Sequence, residues 1–411
     1  MYSHKAGFFF LLSFKKTRTE RPREYRLASG RKSRMNQKRK PLELYVHIPF
    51  CIRKCAYCDF VSGPGTKAMQ KAYEAALTAE IDAAEEASEC EVSTVFFGGG
   101  TPSVVDAGML ARIMEKLRKK YVFSKNAEIT LEANPGTLDE KKLNGYRKSG
   151  FNRISIGCQS VHDDELKRLG RIHTFAEFQE SFALARAAGF TNINVDLMSG
   201  LPGQSKAKWE ESLRTIAKLS PEHISAYSLI VEPGTLFAEQ NLDLPDEETE
   251  REMYAETEKI LAEYGFSRYE ISNYAKPDYT CRHNIGYWNR TDYLGFGPSA
   301  ASLFENRRWT NTADVAAYVK ACGTPEKIRE EEETLSMQDA MEEFMFLGLR
   351  MTGGISMAEF EKQFGKEIHA VYGEVLRKYE GMKLLQEHGG YLSLTRDGIS
   401  VSNVILADFL L

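Results

Sequence analysis

The chain has 411 residues, 42% of them hydrophobic and 27% charged, with a formal net charge of −4. That is the composition of an ordinary soluble globular protein, long enough for one large domain and a smaller one, and its mild acidity argues against a general nucleic-acid binder. The charge is uneven, because residues 1–40 hold 13 Lys/Arg against 2 Asp/Glu, a surplus of +11 that leaves −15 for the remainder.

Residues 1–41 form a basic leader that includes the apolar run from Phe8 to Phe14. The run is too short to span a membrane and lacks a small-residue cleavage site. Met35 stands just before the first convincing strand, so the leader is expected to be disordered or to precede the true start. From residue 42 short apolar runs alternate with helical patterns. Strands are predicted over 43–48, 93–98, 128–133, 153–158, 192–198 and 223–230, and helices over 67–88, 106–120, 139–149, 174–188, 205–219 and 246–264. The strands read as near-continuously apolar, which suits burial on both faces of a parallel sheet. Six βα units in series predict an α/β fold, a partial (β/α)6 barrel over residues 42–268.

In such folds chemistry gathers where the strands end. The first strand runs into Cys51-Ile-Arg-Lys-Cys55-Ala-Tyr-Cys58, three thiols at C-x3-C-x2-C. Zinc sites of this kind use two cysteine pairs, and no second pair exists, since Cys90, Cys158, Cys281 and Cys322 stand singly. Three thiolates on one loop instead fit three corners of a [4Fe–4S] cluster, which normally takes four. The open iron suits the amine and carboxylate of S-adenosylmethionine (SAM), and a low-potential cluster can then break the S–C bond reductively. The next strands end in Gly98-Gly99-Gly100-Thr101-Pro102, where glycine allows close backbone approach, then at Glu132, at Gln159 and, further on, Arg171, and at Asp196. A strand-tip carboxylate suits a ribose diol and an Arg suits a carboxylate. Any one of them alone would read as a rim salt bridge.

After residue 268 the βα rhythm stops. Residues 269–333 read as an aromatic segment followed by a linker, with Glu330 to Glu333 as a solvated stretch, and contain Cys281-Arg-His283-Asn284-Ile-Gly-Tyr287-Trp288. His283 there is either a hydrogen-bonded core residue or an axial haem ligand with aromatics to cover the porphyrin. Residues 334–411 offer helices near 336–350, 356–363 and 367–381, then a hairpin over 383–395 turning at Gly389-Gly390. That pattern is winged-helix-like, and 7 Lys/Arg against 11 Asp/Glu make it a packing or lid domain rather than a DNA reader.

These motifs together resemble the radical SAM superfamily, and within it the group of oxygen-independent coproporphyrinogen III dehydrogenases and related haem chaperones. The resemblance spans residues 42–411. It implies that Cys51, Cys55 and Cys58 hold the cluster and that Tyr45, Tyr57, Gly99, Gly100, Thr101, Glu132, Gln159, Arg171 and Asp196 contact SAM. The dehydrogenases carry a further Cys where this chain has Phe60. The chaperone branch has an aromatic there and an H-N-x-x-Y-W run, matched by His283 to Trp288, whose His is associated with haem. The implied partners are haem, an apo-haemoprotein acceptor such as a membrane respiratory enzyme, an electron donor for the cluster and a second copy of the chain, in the cytoplasm. The competing expectation is oxidative decarboxylation of coproporphyrinogen III.

Overall fold

The computed structural model describes residues 39–321 and 324–411. The first 38 residues, and with them most of the expected leader, lie outside the described residues, as does Cys322. Six parallel strands lie side by side in chain order: β1 (Lys40–Ile48), β2 (Cys90–Gly99), β3 (Val122–Ala133), β4 (Arg153–Gln159), β5 (Ile193–Ser199) and β6 (His223–Ser228). Between them run helices α1 (Lys67–Ala83), α2 (Ala107–Lys120), α3 (Glu140–Lys148), α4 (Asp163–Arg168), α5 (Phe175–Ala187) and α6 (Lys206–Lys218), with α7 (Glu247–Glu263) after β6. Local chemistry starts them: Thr66 caps α1, Asp139 caps α3, and Thr174 with Glu177 forms a capping box on α5.

The six strands are two-faced, and here the expectation of continuous apolar character is corrected. Leu42, Leu44, Val46 and Ile48 of β1, with Ile129 and Leu131, Ile154 and Ile156, Ile193 and Val195, and Ile224, pack into one core with the helices. The alternate positions are Glu43, Tyr45, His47; Thr94, Phe96; Glu128, Thr130, Glu132; Arg153, Ser155; Asn194, Asp196; and His223, Ser225. The period-two rule sends these to the opposite face of the sheet, inside the curve of the open barrel. The Val, Ile and Leu residues dominate the reading of each strand and mask the polar alternation.

Residues 269–333 are also corrected. Instead of a linker they extend the sheet. β7 (Ser267–Arg268) and β8 (Asn273–Ala275) pair antiparallel beyond β6. On the other side β9 (Tyr293–Phe296) lies parallel to β1, followed by antiparallel β10 (Ala301–Phe304), β11 (Arg307–Asn311) and β12 (Arg329–Thr334). The acidic run lies in β12, an edge strand where exposed charge discourages further pairing. Helix α8 (Arg282–Trp288) lies between β8 and β9.

The smaller C-terminal unit has its own core from residues 340–409, built on helices 337–348, 357–364 and 368–381 and a three-stranded antiparallel sheet. Its hairpin, Leu385–His388 with Tyr391–Leu394, turns on Gly389 and Gly390, both at positive φ (59° and 84°), as a two-residue turn of this twist requires.

Two buried carboxylates tie these parts together. Glu343 of helix 337–348 is 1% exposed and accepts from Arg308 (2.7 Å) and Arg290 (2.8 Å). The Glu343→Ala variant leaves two desolvated guanidiniums, so urea unfolding is expected to show a loss of about 3–5 kcal/mol. Glu80 of α1 accepts from Tyr318 (2.5 Å), Asn311 (2.6 Å) and the Gly297 amide (2.9 Å), stitching α1 to the sheet extension. Burial outweighs those bonds and pushes its carboxyl up to about 7. A raised acid stabilises the fold below its unfolded value near 4.5 and loses that contribution as pH rises through about 7. Wild type should therefore lose on the order of 3 kcal/mol across that window relative to Glu80→Gln, measured by unfolding at a series of pH values.

Candidate functional site

The C-terminal ends of β1 to β6 surround an open cavity. Its floor on the β1 side is the cysteine loop, pinned by backbone bonds from Cys51 to Gly63 (2.9 Å) and from Ala56 to Leu169 (3.0 Å). Cys51, Cys55 and Cys58 all face that cavity and are half-buried, and no other cysteine among the described residues lines it. Burial pushes the Cys58 thiol up to about 12 and raises Cys51 as well. Loading metal there must therefore displace protons.

Beside the thiols, β2 ends in Gly99 (φ +103°), with Gly100 following it. A Cβ on Gly99 would stand 2.6 Å from the His47 ring, and one on Gly100 2.7 Å from the Phe50 carbonyl, so only glycine fits either place. The Thr101 hydroxyl lies 3.3 Å from the Cys51 sulfur and accepts from Asn134 (2.8 Å). Asn134 in turn accepts from Arg171 (2.8 Å), whose guanidinium also donates to the Gly157 carbonyl (2.6 Å) and approaches the Cys55 sulfur at 3.8 Å. A cation is thus held beside the thiols. Gln159 sits at φ +72° where the β4–β5 register slips. Strain of this kind collects at functional sites. Burial, reinforced by the Asp196 charge, raises the Glu132 carboxyl, and both residues line the cavity.

Tyr57, Gly99, Gly100, Thr101, Glu132, Gln159, Arg171 and Asp196 thus meet in one place with the three cysteines. Tyr45 does not join them. It lies deeper in the barrel, its hydroxyl 3.1 Å from His47 Nδ1 and its ring against Phe96 at 6.4 Å. Its hydrogen-bond partner His47 has Nε2 2.8 Å from the Val61 carbonyl behind the cysteine loop. Asn134, Ser155, Gly157 and Tyr227 line the cavity and were not singled out from the sequence. Phe60 lines it too.

His283 lies elsewhere. Glu128 caps α8, accepting from the Arg282 and His283 amides at 3.2 Å each, which sets the helix four residues, roughly 13 Å, below Glu132 on β3. There His283 is 1% exposed, its Nδ1 2.7 Å from the Thr94 hydroxyl, between Phe96 (5.1 Å) and Tyr287 (4.8 Å). Neither it nor those neighbours line the cavity. The helix plugs the barrel closely, since a Cβ on Gly286 would meet the Glu43 carboxylate.

Known proteins resemble this chain in sequence and fold. Residues 45–216 match the radical SAM superfamily and residues 335–401 the HemN C-terminal domain. The chain is 35% identical over 376 residues to the haem chaperone HemW of Lactococcus lactis subsp. lactis (strain IL1403), covering 90% of this chain and 98% of that protein. The chain belongs to the HemW family of the radical SAM superfamily. The haem chaperone HemW of Escherichia coli (strain K12) is 41% identical over 262 residues, 63% of this chain and 69% of that one. The solved structure of coproporphyrinogen III oxidase (HemN) from Escherichia coli, a radical SAM enzyme, superposes with a TM-score of 0.80 at 25% identity, over 90% of each chain.

The family's cofactors are a [4Fe–4S] cluster and SAM, and the cavity fits them, with three thiols on one wall and a glycine cradle beside them. When bound, the cluster supplies a low-potential electron to the sulfonium. The chain's own residues would hold and orient: the three sulfurs would ligate the cluster, Arg171 places a positive charge beside them, and Glu132 and Asp196 line the same cavity as acceptors. Cys51→Ala, Cys55→Ala or Cys58→Ala should each abolish the brown cluster absorbance after anaerobic reconstitution. Cys158→Ala, which deletes a buried thiol outside the cavity, should leave it unchanged.

Proposed function

We propose that this protein is a haem carrier of the cytoplasm that binds haem and passes it to an apo-haemoprotein, such as a membrane respiratory enzyme, while holding a cluster and SAM. The similarity to a protein described as a haem chaperone, over 98% of that protein's length, carries the reading. His283 within the H-N-x-x-Y-W run is the proposed haem ligand, and an electron donor for the cluster and a second copy of the chain belong to the same proposal. Among the described residues no helix is long and apolar enough to cross a membrane.

The burial of His283 adds a requirement. Its ring is packed between Phe96 and Tyr287, so an iron atom reaches it only after α8 shifts from the barrel base. Binding through a minor open state lowers the apparent affinity by the open fraction. It also makes opening rate-limiting at high ligand concentration. The test is an anaerobic haem titration of cluster-loaded protein, followed at the Soret band. Wild type should show a saturable shift whose observed rate levels off as haem rises, and His283→Ala should abolish the shift. A shift that survives His283→Ala removes the ligand and makes Cys281 the next candidate, and absence of any shift in wild type overturns the carrier reading.

The second reading, oxidative decarboxylation of coproporphyrinogen III, is favoured by the 0.80 TM-score to HemN. Coproporphyrinogen III with SAM and a reductant should give no vinyl product if the carrier reading holds.

A further inference from the structure

Asp196 of the cavity is held by Ser155, which lines the cavity beside it, and from behind by Asn194, which does not. Its Oδ1 accepts from Asn194 Nδ2 at 2.7 Å and its Oδ2 from the Ser155 hydroxyl at 3.2 Å. Asn194 Nδ2 spends its second proton on Ser155 (2.7 Å), and its Oδ1 lies 2.6 Å from His223 Nδ1 and accepts from Ser225 at 3.1 Å. His223 Nε2 is 2.8 Å from the Tyr269 hydroxyl, which accepts from the Cys281 amide at 3.2 Å. Asn194, His223 and Ser225 are all buried and line no part of the cavity.

The chemistry of these groups fixes the direction of every bond. A reversed Asn194 amide would set its oxygen against the Asp196 carboxylate, so the amide nitrogen must face Asp196. An unprotonated His223 Nδ1 2.6 Å from Asn194 Oδ1 would set two acceptors against each other, so Nδ1 is the protonated nitrogen and Nε2 the acceptor for the Tyr269 O–H. Burial, reinforced by the Arg153 charge, keeps His223 neutral, as a one-donor, one-acceptor link requires. Each Asp196 oxygen accepts one bond from the protein side, which leaves its remaining lone pairs turned to the cavity.

We propose that Asn194 and His223 are positioning residues for the cofactor, orienting Asp196 so that its free lone pairs meet the ribose diol of SAM. The proposal rests on Asp196 as the ribose-facing carboxylate. A carboxylate free to rotate satisfies a diol only in some rotamers, and the relay removes the others before SAM arrives. The amine and carboxylate of the methionine end belong to the cluster side of the cavity and should not sense the relay.

The experiment titrates cluster-loaded wild type, Asn194→Ala and His223→Phe with three probes: SAM, a SAM analogue lacking the 2′ and 3′ hydroxyls, and methionine alone. Binding is read from the perturbed electron paramagnetic resonance of the reduced cluster. In wild type, removal of the diol should weaken binding markedly. Asn194→Ala should weaken SAM about tenfold, the equivalent of about 1.4 kcal/mol. It should also erase most of the diol penalty and leave methionine unchanged, with His223→Phe showing a smaller loss of the same pattern. A variant that weakens methionine and SAM equally, or that keeps the full diol penalty, overturns the relay. Wild type that binds SAM with no diol penalty overturns the assignment of Asp196 and the relay with it, whereas wild type that binds no SAM overturns the cofactor reading itself. If Asn194→Ala fails to retain the cluster, Ser225→Ala removes one hydroxyl from the same amide and must show the same diol dependence.

Discussion

The structure depends on one constraint: polar groups placed inside the barrel must find partners there. Strands β1 to β6 send aliphatic side chains outward to the helices and Glu, Asp, Asn, His, Arg, Ser and Thr inward. An unpaired polar group in such a place would cost roughly 1–3 kcal/mol. On β4 to β6 the inward groups therefore pair with one another across neighbouring strands, while Thr94 and Glu128 pair with α8. Pairing fixes the parallel register as firmly as the aliphatic face does, because a slip of one residue would exchange the two faces. The cavity at the rim is where this network meets the outside, and its unpaired capacity at the top is what a cofactor can use.

Read in this way, the legible and illegible parts of the sequence separate on physical grounds. Cys51, Cys55 and Cys58 were legible because their relation is local: three thiols within eight residues. Strand ends mark the rim, so Gly99, Gly100, Thr101, Glu132, Gln159, Arg171 and Asp196 were legible as well, and the six βα units with them. Asn194 and His223 were not. Their roles come from the register that sets Ser155 beside Asn194 and Asn194 beside His223, and nothing within either strand announces it. Tyr45 shows the same limit. It faces inward like His47, but two residues lower, roughly 6–7 Å along the strand, which separates a rim residue from an interior one. The sheet extension β9 to β12 escaped for another reason. Its strands run to six residues at most, and β9, which joins them to the barrel, gains its order from pairing with β1, more than two hundred residues away in sequence.

The second unit is attached at a telling place. Glu343 is held by Arg290, between α8 and β9, and by Arg308 of β11, and Arg350 lies over the Trp288 ring at 4.5 Å. The short helix carrying His283 is thus clamped from three sides: Glu128 at its N-terminus, Glu43 against Gly286, and the C-terminal unit on Trp288. A lid that had only to cover the cavity would not need such anchorage at the opposite end. The C-terminal unit acts on α8, and any movement that frees His283 has to work against it.

The interior network also spans the two ends. Starting from Asp196 at the cavity, the chain of bonds passes through Asn194, His223 and Tyr269 to the Cys281 amide, one residue before α8, while Glu128 ties the next two amides to β3. The cofactor wall and the helix bearing the proposed haem ligand are therefore stabilised by a single continuous set of hydrogen bonds. Displacing α8 would take the Cys281 amide from Tyr269 and disturb the donor that keeps His223 in one tautomer. A protein that only had to bind two ligands could have insulated them with an aliphatic barrel core, as many α/β barrels do. Here a polar network runs from rim to base beside the aromatic cluster of Tyr45 and Phe96, so the state of the helix and the state of the SAM wall share bonds, and an account of one has to include the other.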